Sequence, residues 1–366
     1  MNYELKHFDT TLVRFSATED TNTPEIKILW KNDAKKDLFP LDLELTEEGI
    51  AKWLKHRTIP KNRAYVHNFL SKCGLNINRP MIIIKVSKGL SLNDCSWVVE
   101  EGFEGTYDKF NLYDNRFSQV LALIAFTGYG SSIRTSLASC PEFTTNGMLP
   151  KCWRRKDGKI MLYKGGTSGA SNAGREPFCE YYASQIAETM GLNVVHYDLE
   201  NWKGITASKC KLFTDKDTSF VPIGRIVKSG GIQKCLDYYD KLGKTFSEQI
   251  RSMLVFDALI YNEDRHFGNF GVLRDNHTGK IVAPAPIFDN GLSLFCFAGQ
   301  EDLPTLAEYA KTRTNPYYIS FEEVCAAVMG TKQKEQLRRM IGFKFTRHPK
   351  LNLPEEHLVA VERVLG

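Results

Sequence analysis

The run Glu263-Asp-Arg-His-Phe-Gly-Asn269 constrains this chain more than any other stretch, because it sets ionisable and amide side chains between two apolar segments. Side chains of these kinds seldom leave water without partners, so the fold must either expose the run or satisfy it. Upstream, apolar residues at 246, 250, 253, 254 and 260 keep helical spacing as far as Asn262, and Thr245-Phe-Ser-Glu248 fits a capping box at the start. Downstream, Phe270-Gly-Val-Leu273 reads as a strand, and a second strand over 281–288 ends in Asp289-Asn-Gly291.

That pattern suits phosphoryl transfer, a reaction that relies on positioning and charge neutralisation more than on covalent chemistry. Mg²⁺ takes oxygen ligands, commonly one or two carboxylates or amides completed by water and phosphate oxygens, and Asn269 with Asp289 offers that set. A carboxylate five residues before such an Asn can accept the proton of an attacking hydroxyl, as in the catalytic loop of protein kinases, and Asp264 stands there. The bland reading of an Asp-Arg-His-x-x-Asn string is a solvated turn with a helix-capping Asp. The second Asp, two residues before a Gly on its own strand, favours chemistry. His266 either orders the loop or is a satisfied core histidine.

At 366 residues the chain suits two or three packed units, and 42% hydrophobic with 25% charged residues is the composition of a folded protein. The longest apolar run, Val120 to Phe126, falls short of the roughly 20 residues a spanning helix needs, and Met1-Asn-Tyr-Glu-Leu-Lys-His7 lacks the pattern of a secretory signal. A cytoplasmic protein without a membrane segment is expected. Nine scattered cysteines, without close pairs, are expected to be reduced and packed as small hydrophobes. A net charge of +5, without a long Lys/Arg run, does not indicate direct nucleic-acid binding.

Residues 3–16 and 25–30 read as strands, 47–55 and 61–74 as helical, and Met81-Ile-Ile-Ile-Lys-Val86 as a strand. No chemical motif precedes residue 125. A Gly-, Ser- and Thr-rich stretch over 128–147 marks a domain boundary and flexible loop, and Asp157-Gly158 then turns a hairpin whose second strand ends at Lys164. An ammonium there would reach the α- and β-phosphates of a nucleotide, with Lys151 a second candidate and an exposed strand-end lysine the bland alternative. The next helix starts at Glu176-Pro177 and stops at Gly191. Its Glu176 and Glu180 share a face, so either could pair with Lys164; Glu180 is favoured over Glu176, and surface charge is the alternative. Strand-like stretches follow at 192–198 and 205–213, and beyond Phe220 the pattern is mainly helical.

Four of these stretches, in this order, resemble the HipA-like Ser/Thr kinases, the toxin kinases of bacterial toxin–antitoxin pairs. They are Met161-Leu-Tyr-Lys164, the helix Glu180 to Leu192, Leu259-Ile-Tyr-Asn-Glu-Asp-Arg-His-Phe-Gly-Asn269, and Ile287-Phe-Asp-Asn-Gly291, and the likeness covers about residues 126–345. The resemblance implies an α+β, two-lobed protein-kinase-like (HipA-like) fold with an N-lobe over 126–215 and a mainly helical C-lobe over 216–366; residues 1–125 read as an additional N-terminal α/β unit that shows no clear likeness to the family's usual one. It implies ATP and Mg²⁺ as cofactors, Asp264 as catalytic base, Asn269 and Asp289 as metal ligands, Lys164 on the phosphates, and an adenine-binding hinge from Cys210 to Phe213. Family members autophosphorylate a serine in the phosphate-covering loop. Ser136 and Ser139, in Ser-Leu-Ala-Ser139, are the similar positions, although Cys140-Pro-Glu-Phe-Thr-Thr-Asn-Gly147 replaces the loop string usual in the family. A phosphoserine there would repel ATP phosphates and inactivate the enzyme. The implied partners are a protein substrate such as a translation component, and an antitoxin. The Asp-Arg-His-x-x-Asn order is shared with phosphatidylinositol kinases, so a lipid or small-molecule kinase is one alternative; a nucleotide-binding pseudokinase that binds an antitoxin or DNA is another.

Overall fold

The structure, a computed structural model, describes residues 1–132, 137, 140–170 and 172–365. Along the chain come β1 (Asn2–His7), β2 (Thr10–Ala17), β3 (Ile26–Lys31), α1 (Glu47–Lys55), α2 (Val66–Lys72), α3 (Pro80–Ser87), β4 (Ser96–Glu100), α4 (Tyr107–Phe110), α5 (Gln119–Thr127), β5 (Lys151–Lys156) and β6 (Lys159–Lys164). They are followed by α6 (Glu176–Met190), β7 (Tyr197–Trp202), β8 (Ile205–Lys211), β9 (Thr218–Pro222), α7 (Ile223–Ile226), α8 (Gly231–Leu242), α9 (Lys244–Leu259), β10 (Gly271–Asp275), β11 (Ile281–Pro284), α10 (Leu306–Ala310), α11 (Phe321–Val328), α12 (Thr331–Arg338) and α13 (Glu355–Leu365). Two compact units result: the first holds Met1–Lys164, Leu212–Val221 and Leu273–Val282, the second Gly165–Lys211, Pro222–Val272 and Ala283–Gly366.

In the first unit an antiparallel sheet runs in the order β3-β2-β1-β4. Tyr3, Leu5, Val13 and Phe15 of its inner strands pack against Ile50, Trp53 and Leu54 of α1 and Met81 and Ile84 of α3. The strand expected over Met81–Val86 is therefore a helix. Pro80 occupies its first turn, where a missing N–H costs nothing. Met81 and Ile84 enter this core while Ile83 enters a second one with Phe69, Leu121, Ile124 and Phe143. Burial on two sides removes the amphipathic period, and a β-branched apolar run then looks like a strand. The hairpin of β5 and β6 forms as its Asp157-Gly158 turn dictates, both residues having positive φ (52° and 73°).

Segments 212–221 and 273–282 return to this unit through buried polar contacts. The Phe220 amide donates to the Asn93 carbonyl at 2.8 Å, Ser219 Oγ to Asn276 Oδ1 at 2.6 Å, and His7 Nε2 to the Asn276 carbonyl at 2.6 Å.

In the second unit, α6 begins with Pro177 in its first turn and ends at Gly191 in the left-handed region, as its sequence requires. Helix α9 starts at Lys244 after Gly243, so the Thr245-Phe-Ser-Glu248 capping box is not used; the Ser247 amide bonds the Gly243 carbonyl instead. Gly243, at a positive φ of 115° that favours glycine, ends α8 and opens α9 two residues too early for Thr245 to cap it. A capping box does form at α11, between Ser320 and Glu323. The strand expected over 281–288 is interrupted after Pro284, and Ile287 pairs instead with Val194, carrying the chain directly to Asp289. All nine cysteines are free and eight are buried. Among the described residues no helix is long and apolar enough to cross a membrane.

Burial lowers the pKa of His7 from its ordinary 6.5, with the Asn276 carbonyl opposing the shift. The fold therefore favours neutral His7, whose contribution is present above pH 6.5 and lost as pH falls. Thermal melts should show wild type losing Tm between about pH 7.5 and about pH 5.5, and a His7→Gln variant losing less over the same interval.

Candidate active site

The polar run after α9 is hydrogen-bonded, with Arg265 and Asn269 buried and His266 exposed, and its partners build a site within the second unit. Helix α9 ends where Tyr261 turns left-handed (φ 53°), and the Asn262 amide returns to the Asp257 carbonyl at 2.9 Å. The fully buried Asn262 side chain donates to Asp257 Oδ1 at 2.9 Å and accepts from the Asp264 amide at 3.1 Å. The loop then closes on itself: the His266 amide donates to the Asp264 carbonyl (2.7 Å), the Asn269 amide to the His266 carbonyl (2.9 Å), and Asn269 Nδ2 to the Asp264 carbonyl (3.0 Å).

Arg265, 1% exposed, holds these pieces together. Its Nε and Nη2 grip both carboxylate oxygens of Asp257 at 2.9 Å each. Its Nη1 donates to the carbonyls of Asn269 (3.1 Å), Phe288 and Asp289 (3.4 Å), and Nη2 also reaches Asn290 Oδ1. Burial works against the guanidinium charge, but Asp257 more than offsets it and raises the pKa of Arg265 above its ordinary value. A planar fork with five donors suits this junction as a lysine would not.

Asp289 has φ 58°, a conformation that Asp and Asn tolerate better than other side-chain-bearing residues. Three groups fix its turn besides Arg265. The Asp289 amide donates to the Tyr197 hydroxyl oxygen at 3.1 Å, the Asn290 amide to Glu180 Oε2 at 2.7 Å, and Gly291 lies so close to α6 that a Cβ there would sit 3.3 Å from Glu176 Cβ. Burial, then the charges of Glu180 and Asp289 among others, push the Tyr197 hydroxyl well above its usual range, so it stays protonated.

The structure thus joins the backbones of Asp264, Asn269 and Asp289 in one network and puts the buried Glu180 on the Asp289 turn. Glu176, its neighbour on α6, accepts from the Thr167 amide at 3.1 and 3.2 Å. His266 is exposed, not a core histidine, and its Nδ1 accepts from the Gly268 amide at 3.0 Å, which orders the turn locally. Lys151 and Lys164 are buried cross-strand partners in the first unit's hairpin, and Lys151 Nζ donates to the Asn146 carbonyl at 2.9 Å. Cys210 is buried in the β7–β8 hairpin opposite Tyr197, and Phe213 meets Phe220 edge-on at 5.5 Å. Ser136 and Ser139 lie outside the described residues.

Sequence reasoning missed Arg265, Asp257, Asn290 and Tyr197. A signal for the first two existed: Asp257 interrupts the apolar stretch Met253-Leu-Val-Phe, and Arg265 is eight residues away. Asn290 and Tyr197 carried none, since their roles depend on tertiary approach.

No protein-family model matches this chain. The serine/threonine-protein kinase CtkA of Helicobacter pylori is 30% identical to it over 135 residues, 32% of this chain and 40% of that kinase, so the match spans less than half of the relative. Among solved structures, the H. pylori proinflammatory kinase CtkA aligns with TM-score 0.45 at 18% identity, over 59% of this chain and 88% of that one. HipA of Shewanella oneidensis, solved as a toxin–antitoxin complex with HipB and operator DNA, aligns with TM-score 0.57 at 11% identity, over 99% of this chain and 95% of that one. The resemblance read from the four motifs is borne out at the level of fold: this chain has the α+β, HipA-like kinase fold.

The Asp257–Arg265 pair gives a direct test. Asp257→Ala leaves a buried guanidinium without its counter-charge and should cost about 3–5 kcal/mol in urea melts. Arg265→Met should cost a similar amount, and the double variant should lose less than the sum of the two, as residues of one network do. Strictly additive losses would show that the two side chains do not act as a unit.

Proposed function

We propose that this chain is an ATP- and Mg²⁺-dependent protein serine/threonine kinase. One observation carries the reading: a single Arg265 nitrogen lies 3.1 Å from the Asn269 carbonyl and 3.4 Å from that of Asp289, so the two residues suited to a metal are tied to a common point. The donor set fits Mg²⁺. The Asn269 amide nitrogen is taken by the Asp264 carbonyl, which leaves its oxygen for a cation, and Asp289 adds a carboxylate. Among the described residues no cluster of three or more His, Cys, Asp or Glu could hold a metal, so water and phosphate oxygens would complete the shell. Bound there, Mg²⁺ would neutralise charge on the phosphate chain.

The chain's own residues do the rest. Asp264 accepts the proton of the attacking serine or threonine hydroxyl as the oxygen meets the terminal phosphate. Asn262, through its bond to the Asp264 amide, and Asn269, through its bond to the Asp264 carbonyl, fix the backbone that carries this base. Glu180, Tyr197 and Arg265 hold the Asp289 turn. Lys164, with Lys151, is assigned to phosphates, Cys210 to Phe213 to the adenine, and Ser136 or Ser139 to autophosphorylation, each on the motif resemblance. The same resemblance, with the likeness to HipA in its complex with HipB, supports a cytoplasmic enzyme acting on a protein such as a translation component and partnered by an antitoxin-type protein.

Purified protein incubated with labelled ATP and Mg²⁺ should transfer label to itself or to an extract protein, and Asp264→Asn should lower the rate about 10²- to 10⁴-fold. Equal labelling by the two proteins would remove Asp264 from its role. Asp289→Asn keeps the left-handed backbone and should sharply reduce the Mg²⁺-dependent part of the thermal stabilisation by ATP. Undiminished stabilisation would place the metal elsewhere.

A further inference from the structure

Resting on the kinase reading, we propose that the segment 313–319 is the docking wall for the acceptor polypeptide, and that Tyr318 receives an apolar side chain lying next to the phosphorylated serine or threonine.

The segment runs along the catalytic loop and is tied to three of its alternate residues. Arg313 pairs with Glu263 at 3.6 Å, the Tyr317 hydroxyl donates to the Arg265 carbonyl at 2.6 Å, and the Tyr317 ring stacks on Phe267 at 5.7 Å between centroids. It is also rigid. Buried Asn315 accepts from the Tyr317 amide at 2.9 Å and donates to the Ile319 carbonyl, and Ser320 then caps α11. On this pedestal Tyr318 stands 95% exposed, with Ile319 38% exposed beside it.

Two features of Tyr318 run against stability. A tyrosine side chain almost wholly in water gains nothing from burial. Its φ of 59° is a left-handed conformation that a bulky residue adopts at a cost, where glycine or asparagine would adopt it freely. Strain over-determined by its surroundings and found beside a reactive loop points to recognition. A rigid aromatic side chain loses little entropy on contact, which makes it a good anchor. Because Tyr317 binds the residue next to Asp264, whatever rests on Tyr318 lies one residue along the chain from a contact with the catalytic loop. An extended protein segment presenting a hydroxyl to Asp264 fits that position, with an aliphatic or aromatic neighbour reaching Tyr318.

The test uses the full chain, labelled ATP and serine-centred peptides in which leucine or phenylalanine is moved through each flanking position of an otherwise Ala/Lys background. Wild type should prefer the apolar residue at one or two adjacent offsets. Tyr318→Gly, which suits the backbone and should melt no lower than wild type, should flatten that preference and raise the peptide KM about 10-fold without changing the ATP KM. Tyr318→Phe should behave as wild type. Transfer by wild type with no positional preference, or a Tyr318→Gly variant with unchanged peptide KM, overturns this inference and leaves the kinase reading standing. No transfer by wild type to any peptide or protein overturns both.

Discussion

The Asp257–Arg265 ion pair is the interaction on which the rest of the site depends. Taking both charges out of water is costly, and their attraction offsets that cost only when the remaining donors and acceptors are also satisfied. Here they are: the guanidinium donors not spent on Asp257 go to the Asn269 carbonyl and to the Asp289 turn, and Asn262 shares the same carboxylate. A helix end, a loop and the Asp289 turn, separated by more than thirty residues from Asp257 to Asn290, are thereby fixed by one side chain. A buried pair of this kind adds little stability over apolar side chains of similar volume but holds a geometry, which is what the proposed phosphoryl-transfer site needs.

Much of this was legible in the sequence because its signals are local. The Asp157-Gly158 turn, the Pro177 start and Gly191 stop of α6, and the polar run after an apolar helix each reflect chemistry within a few residues, and each was found where expected. Fold class was legible for a different reason: four separated motifs, in order, pointed to one architecture.

What was not legible depends on contacts between distant residues. The α3 segment is a helix because two cores claim its opposite sides, which no window of sequence reports. The capping box at Thr245 failed because Gly243 had already opened the helix, a competition between equally plausible local signals. Glu180 also accepts from the Asn290 amide, 110 residues away, a contact that its charge and helix position do not announce. The role of Tyr197 rests on a hydrogen bond across 92 residues, and nothing in its own surroundings in the sequence announces it.

The division of the chain has a consequence for its biosynthesis. The first unit takes in residues 273–282 as well as everything up to Lys164, so His7 waits for the Asn276 carbonyl until most of the polypeptide exists. At typical elongation rates the interval between residues 164 and 282 is on the order of ten seconds. Throughout that time His7 has water in place of the Asn276 carbonyl, so this buried contact forms late in the folding of the first unit. Long-range closure of this kind also slows refolding of the finished chain, because the ordering of distant segments precedes the contacts that reward it.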